Sequence, residues 1–431
     1  MLGVLWVGLL AWWLSACLAQ PRVEPPPTAT PSPLPPTATP TPTPPQDLRV
    51  WVPAPLFAEA DPAWSSLQGQ ARAFAATTGL QVELRRRGIY GPGGILTILL
   101  PAQLAAPATI PDVALIPHDL LEALVVKADL PPLPDTLAQR VHAQNEWYAY
   151  ARRAAHIRGV AYGVPMGGET LVLAWPEGSK PTPPANWAEW LRTDMPWVFP
   201  ARDPYGWGYL ALYSAAGGTW HPQPGNAPSL DPEALRRMLE FLVQAQWQGS
   251  LMADARTWLD FAALWRARPE AMQITWSRYP RREPNSAWAP LPGLEGEAVP
   301  LARVYLWVIL TRDAQRRAQA IRWIEQMSRT DWLAMWLGQL GLWPAQPPAT
   351  GLGTSSSDET YLERAAPFPR MDLLFPLGHA LSLAGQSVLE GQTTPLDAIP
   401  LAQQALGPEP TPTATATIPA PTPTPSNGPD G

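Results

Sequence analysis

Apolar and polar positions alternate along most of this chain in a rhythm of strands and helices. LRVWV (48–52) is a short apolar run with branched residues and predicts a strand. A helical stretch follows around Trp64–Ala76 and ends near Thr78-Gly79, and LQVEL (80–84) then alternates as a second strand. Ile95–Ala105 predicts a helix, VALI (113–116) a strand behind Pro111-Asp112, and Asp119–Lys127 the next helix. That order implies parallel βαβ units. Farther on, Asp231-Pro232-Glu233 opens a helix whose apolar stripe is Leu235, Met238, Leu239 and Leu242. Asp313–Met327 predicts another, with Ala314, Ala318, Ile321 and Ile324 on one face.

The two ends break the rhythm. Leu2–Leu14 is uninterrupted and apolar, too short to span a bilayer but suited to the apolar region of a secretory signal. Cys17 is the only cysteine, so it can form no intrachain disulfide and no cysteine-based metal site by itself. Leu14-Ser15-Ala16-Cys17 resembles a bacterial lipobox, in which the cysteine is lipidated, although no Lys or Arg precedes the apolar run. The alternatives are an ordinary cleaved signal and a short uncleaved anchor. Residues 21–46 and 408–431 are rich in Pro, Thr and Ala, a composition that cannot bury a core. The first reads as an extended tether open to O-glycosylation, the second as a disordered tail.

Composition adds limits. Roughly 360 residues lie between the two tracts, enough for two domains with ample cores. The net charge is −6 with no basic block, which argues against nucleic acid as a partner. Lys127 and Lys180 are the only lysines, a bias open to genomic or thermal explanations. Twenty-two tryptophans stand out, because an indole can stack on the apolar face of a sugar and donate through its N–H. Most are expected in cores, among them Trp187, Trp190, Trp258 and Trp265. The sequence contains no GxSxG, HExxH, P-loop or GxGxxG pattern, and its five histidines lack metal spacing. No cofactor and no metal are expected.

A family resemblance rests on motif order. RAFAATTGLQVEL, IPDVALIPHDLLEAL, VAYGVPMGGETLVLAW, FPARDPYGWGYLALYSAAGG, WLDFAALWRARPEAMQITW, APLPG, DAQRRAQAIRWIEQM and QSVLEGQTTPLDAI follow one another in this sequence. Together they resemble the sugar-type extracellular solute-binding lipoproteins of ABC importers, the maltose-binding-protein-like group, over about 47–405. The resemblance implies an α/β, two-lobed periplasmic-binding-protein-like fold (type II), with a hinge and a ligand cleft between lobes. It implies a signal peptide at 1–16, a lipidated cysteine and linker at 17–46, and a first lobe at 47–166 with 294–330. The second lobe is then 167–293 with 331–405, and 406–431 is the tail. The expected partners are a small solute, a sugar by analogy, and the membrane subunits of a permease. A lipid anchor on the outer face of the cell membrane and a monomeric state complete the expectation.

The resemblance also suggests site residues. Asp119 follows a predicted strand and can accept sugar hydroxyls, or else cap the next helix. His118 is its neighbour. Glu169 matches a ligand-binding glutamate; it faces the cleft, unless Gly167-Gly168 turns it to water. Asp203-Pro204-Tyr205 matches a Glu-Pro-Tyr that touches sugar, with the shorter Asp203 also able to cap a helix at whose first position Pro204 sits. Tyr205 and Trp207 offer stacking surface, and Trp276 matches a sugar-stacking tryptophan. Trp51, Tyr305 and Trp343 lie near other strand ends or crossings. Asp119 and Glu169 could also mimic a glycosidase pair, the rival enzymatic reading. A surface sensor or recognition module of the same fold is the third.

Overall fold

The computed structural model of the protein describes residues 47–143, 146–179, 182–220, 228–347 and 356–407. The apolar N-terminal run read as a signal, Cys17 and the Pro/Thr tracts lie outside them. Element ends follow local chemistry. Asp61 accepts from the Ala63 amide, Pro62 takes the first position of the helix Pro62–Thr78, and Gly79 closes it in the left-handed region at φ 74°. Asp231 caps the helix Pro232–Trp247 in the same way, and the expected stripe of Leu235, Met238, Leu239 and Leu242 is buried.

The helix Ala314–Met327 begins behind its Asp313 cap, but its inner face differs from the expected one. Ala320, Trp323, Ile324 and Met327 are buried, whereas Ala314 and Ala318 are not. The bulk of Trp323 sets the orientation: its indole packs edge-on against Phe74 at 5.5 Å between centroids.

Leu48–Pro53 pairs in parallel with Val82–Arg87 and with Val113–Pro117, as the strand–helix rhythm predicts. The strand Leu301–Ile309 runs antiparallel beside Val113–Pro117 and also beside Val164–Pro176. Val164–Pro176 continues past that ladder to pair with Met272–Trp276 and Ser286–Ala289. It is therefore the crossing strand, and Leu301–Ile309 is the return.

Two hydrophobic cores flank these crossings. In the crossing strand, Val172 and Ala174 belong to the first core, while Leu171, Leu173 and Trp175 belong to the second. Period-2 alternation thus feeds one core from each face. The described residues of 331–365, expected with the second lobe, pack in the first core through Trp332, Leu333, Trp336, Trp343 and Tyr361. The reason is the apolar face of the helix Thr330–Leu340: Trp336 stacks on Phe57 at 5.6 Å and donates to the Ala63 carbonyl at 2.9 Å. The second core regains the chain at Phe368 and holds the helix Met371–Leu389.

Glycines permit three close backbone approaches near the crossings. Gly167 and Gly168 do not turn the chain. They let neighbours close in, since a Cβ would stand 2.7 Å from the Trp343 carbonyl oxygen or 2.9 Å from that of Arg303. Gly378 lets the helix Met371–Leu389 lie against the loop before Trp207, because its Cβ would stand 2.0 Å from the Tyr205 carbonyl oxygen.

Candidate functional site

Parallel strands present ligand sites at their carboxyl ends, and His118 and Asp119 follow Val113–Pro117 directly. The His118 ring accepts from the Val304 amide through Nδ1 at 3.1 Å, which leaves Nε2 to donate to the Phe368 carbonyl at 2.9 Å. Burial lowers its pKa and favours this neutral form. Both ring nitrogens are consumed in joining three chain segments, so His118 has none to offer a ligand. Asp119 is fully buried and makes no cap hydrogen bond. Its Oδ2 accepts from the Tyr90 hydroxyl, and its Oδ1 has no partner among the described residues.

Glu169 faces inward, also fully buried. Its Oε1 accepts from the Tyr305 hydroxyl at 2.7 Å and lies 3.5 Å from Arg303 Nη1. Its Oε2 lies 3.2 Å from Arg278 Nε but accepts no hydrogen bond among the described residues. Arg303 stands directly opposite Glu169 in the ladder between return and crossing strands. Burial pushes the Tyr305 phenol well above its usual range.

The second lobe contributes an aromatic wall. Asp203 Oδ2 accepts from the Trp207 amide at 2.8 Å, but the helix starts at Trp207 with Gly206 at its cap position, so Asp203 is not the expected N-cap and Pro204 precedes the helix in a turn. Burial raises the Asp203 carboxyl to about 7. The Tyr205 ring lies 4.7 Å from that of Tyr90 and 5.3 Å from Phe375, and Tyr90 lies 5.4 Å from Phe375, so three rings meet across the cleft. Trp207 meets Trp276 at 5.4 Å and 72°. Phe261 and Phe368 pack on Trp276 at 5.8 Å each, leaving it 3% exposed. The corner between the two indoles is taken by Arg303, whose guanidinium carbon is 4.1 Å from the Trp207 centroid and 4.5 Å from that of Trp276.

Asp119, Glu169, Asp203, Tyr205, Trp207 and Trp276 thus converge, and Arg303 stands among them. Of the other aromatics, Tyr305 joins through Glu169. Trp51 lies under the Arg87 guanidinium at 4.7 Å and Trp343 under Arg281 at 3.5 Å. Trp187 and Trp190 are core residues, and Trp258 and Trp265 are partly buried packing residues. Sequence reasoning missed Arg303, Arg278 and Tyr90. For Arg303 a signal existed: it is the sole charge in LARVYLWVI. A cavity of about 620 Å³ lies instead at the opposite strand ends beside Arg49 and Asp112. There Arg316 clamps Asp112 with two contacts of 2.6 Å, away from the converging carboxylates. Among the described residues no group of three His, Cys, Asp or Glu is placed to hold a metal ion.

No family model matches the chain, and no curated protein matches its sequence. Solved structures do match in shape. One is a cyclo/maltodextrin-binding protein complexed with maltotetraose, with TM-score 0.63, 20% identity, and coverage of 84% of this chain and 96% of that one. The maltose-maltodextrin binding protein of Alicyclobacillus acidocaldarius gives 0.65 at 17% identity, covering 84% and 100%. The GacH receptor of Streptomyces glaucescens, solved unliganded and with acarbose, gives 0.65 at 15% identity, covering 84% and 97%. The chain therefore has the two-lobed α/β fold of periplasmic binding proteins that its motif order implied.

Proposed function

We propose that this two-lobed chain is the substrate-binding component of an ABC importer, and that it captures a sugar or oligosaccharide between its lobes. One observation carries the reading. Asp119 Oδ1 is a buried carboxylate oxygen with no hydrogen-bond donor among the described residues, and buried Glu169 Oε2 has the Arg278 guanidinium 3.2 Å away but accepts no hydrogen bond there. Leaving such a group unsatisfied costs about 1–3 kcal/mol or more. A solute bearing several hydroxyls supplies the missing donors. The partly buried ring of Tyr205 gives that solute an apolar flank, with Asp203 two residues before it in the same loop. Maltotetraose, acarbose and maltotriose in the structures of similar shape support the same class.

In this reading closure is a hinge motion about the crossing segments, and the closed form docks on the permease. Cys17 carries the lipid, and residues 17–46 space a monomeric binding unit from the membrane.

The test is calorimetric titration of the full chain with maltose, maltotriose and maltotetraose. Heat is expected from at least one, and Asp119→Asn is expected to weaken that sugar by roughly tenfold or more, the range for a hydrogen bond to a charged group. Silence from all three, with no thermal shift, would reject the reading.

A further inference from the structure

The indole corner that should receive a ligand ring already holds a side chain of this protein. Arg303 is 6% exposed, and its guanidinium lies against both Trp207 and Trp276. An arginine present only to neutralise Glu169 would close on it with parallel hydrogen bonds near ~2.8 Å. Arg303 does not: its Nη1 stands 3.5 Å from Glu169 Oε1, and its buried Nε has no partner among the described residues. Tyr305 has taken the short bond to that oxygen instead. A planar guanidinium stacked on two rings is held firmly by its faces while its edge stays free to donate. In the same region lie Glu169, whose Oε1 is 3.5 Å from Arg303 Nη1, and Asp119, whose Oδ1 has no donor among the described residues. A ligand group that accepts and donates at once, as an alcohol does, suits a region that holds both an unpaired guanidinium donor and an unpaired carboxylate oxygen.

We propose that Arg303 is the specificity-determining residue of the cleft, donating from its edge to ligand hydroxyl oxygens, and that Trp207 and Trp276 act as its platform rather than as a sugar-stacking surface. This rests on the proposed sugar-binding function and sharpens it. Trp276 becomes a positioning residue that acts through Arg303. Recognition then runs through hydrogen bonds from a rigid fork, which favours ligands by hydroxyl geometry more than by the size of an apolar face. Lysine cannot substitute, because an ammonium has neither the planar faces nor the fork.

Two cycles on the full chain test it. In the first, maltotriose is titrated into wild type, Arg303→Leu, Trp276→Leu and the double variant. Arg303→Leu is expected to lose on the order of 10–100-fold in affinity, the range for hydrogen bonds to a charged group. The double variant should be no weaker than Arg303→Leu alone. Arg303→Lys keeps the charge opposite Glu169 and guards against simple misfolding; it should fold, yet lose about as much as Arg303→Leu. In the second cycle the same variants are melted without sugar, and the double variant should lose less midpoint temperature than the sum of the singles. Unchanged or tighter binding by Arg303→Lys and Arg303→Leu overturns the proposal. So do affinity losses that add across Trp276 and Arg303, since they would place the sugar ring on Trp276 itself. If wild type gives no heat with maltose, maltotriose or maltotetraose, the sugar reading fails and the ligand half of this proposal falls with it. A non-additive melting cycle would still support the platform half.

Discussion

Burial lifts the Asp203 carboxyl from its ordinary 3.8 to about 7, against the pull of the Trp207 and Tyr205 amides. Its folded pKa lies above its unfolded one, so the folded state holds the proton more tightly. Stability should then be lost as pH rises from about 4 to about 7, by up to roughly 4 kcal/mol for about three units at ~1.36 each. Asp203→Asn keeps an acceptor for the Trp207 amide and removes the charge. Urea midpoints at about pH 5 and pH 8, on either side of the folded pKa, should show the variant gaining on wild type at the higher pH; equal slopes for both proteins would sink this account. The three carboxylates were singled out by the family resemblance, Asp119 also by its place after a predicted strand, and all three act on Arg303 in the fold. Arg303 was not singled out, because its meaning lies in partners remote in the chain: Glu169 across the ladder, and the indoles of Trp207 and Trp276. The arginine bias also acquires a local reason at such places. Arg86, Arg87, Arg278, Arg281 and Arg303 all lie over aromatic rings. A lysine would lose the planar stacking there.

At the level of elements, the cap and the apolar stripe were read correctly for the helix behind Asp231. Faces and allegiances were harder. The helix Ala314–Met327 turned toward Trp323 because bulk outweighs a line of alanines, and no local pattern announces which neighbour a helix will meet. Thr330–Leu340 joined the first core for the same kind of reason, through Phe57 and Ala63. The loop carrying Tyr205 depends on a contact that sequence spacing does not show, the approach of Gly378 to the Tyr205 carbonyl. Gly378→Ala is expected to destabilise the chain by about 1–3 kcal/mol through overpacking. It should also weaken maltotriose binding by displacing Tyr205. Leu383→Ala, at a position 41% exposed in the same helix, should stay within about 0.5 kcal/mol of wild type. Equal melting of the two variants would show that the backbone contact does not matter.

At the scale of the molecule, no described helix is long and apolar enough to cross a membrane. In the proposed reading, attachment to the membrane is through Cys17. Cys17→Ala should move the protein from the membrane fraction to the soluble one, followed by fractionation and blotting; a variant that stays with membranes would exclude the lipid anchor. The two-lobed plan was legible because eight motifs in order constrain topology far more than any one of them does. The lobe boundary near residue 331 was not, since it is set by packing rather than by motif. The crossing strand gives the plan one more property. The first core draws on residues 48–174 and again on 302–365, while the second draws on 171–301 and again on 368–402. Neither lobe is a continuous passage of the gene, and Val164–Pro176 belongs to both. No single cut divides the chain into two self-sufficient pieces, and exchanging one lobe for a foreign counterpart means rejoining the chain at every crossing.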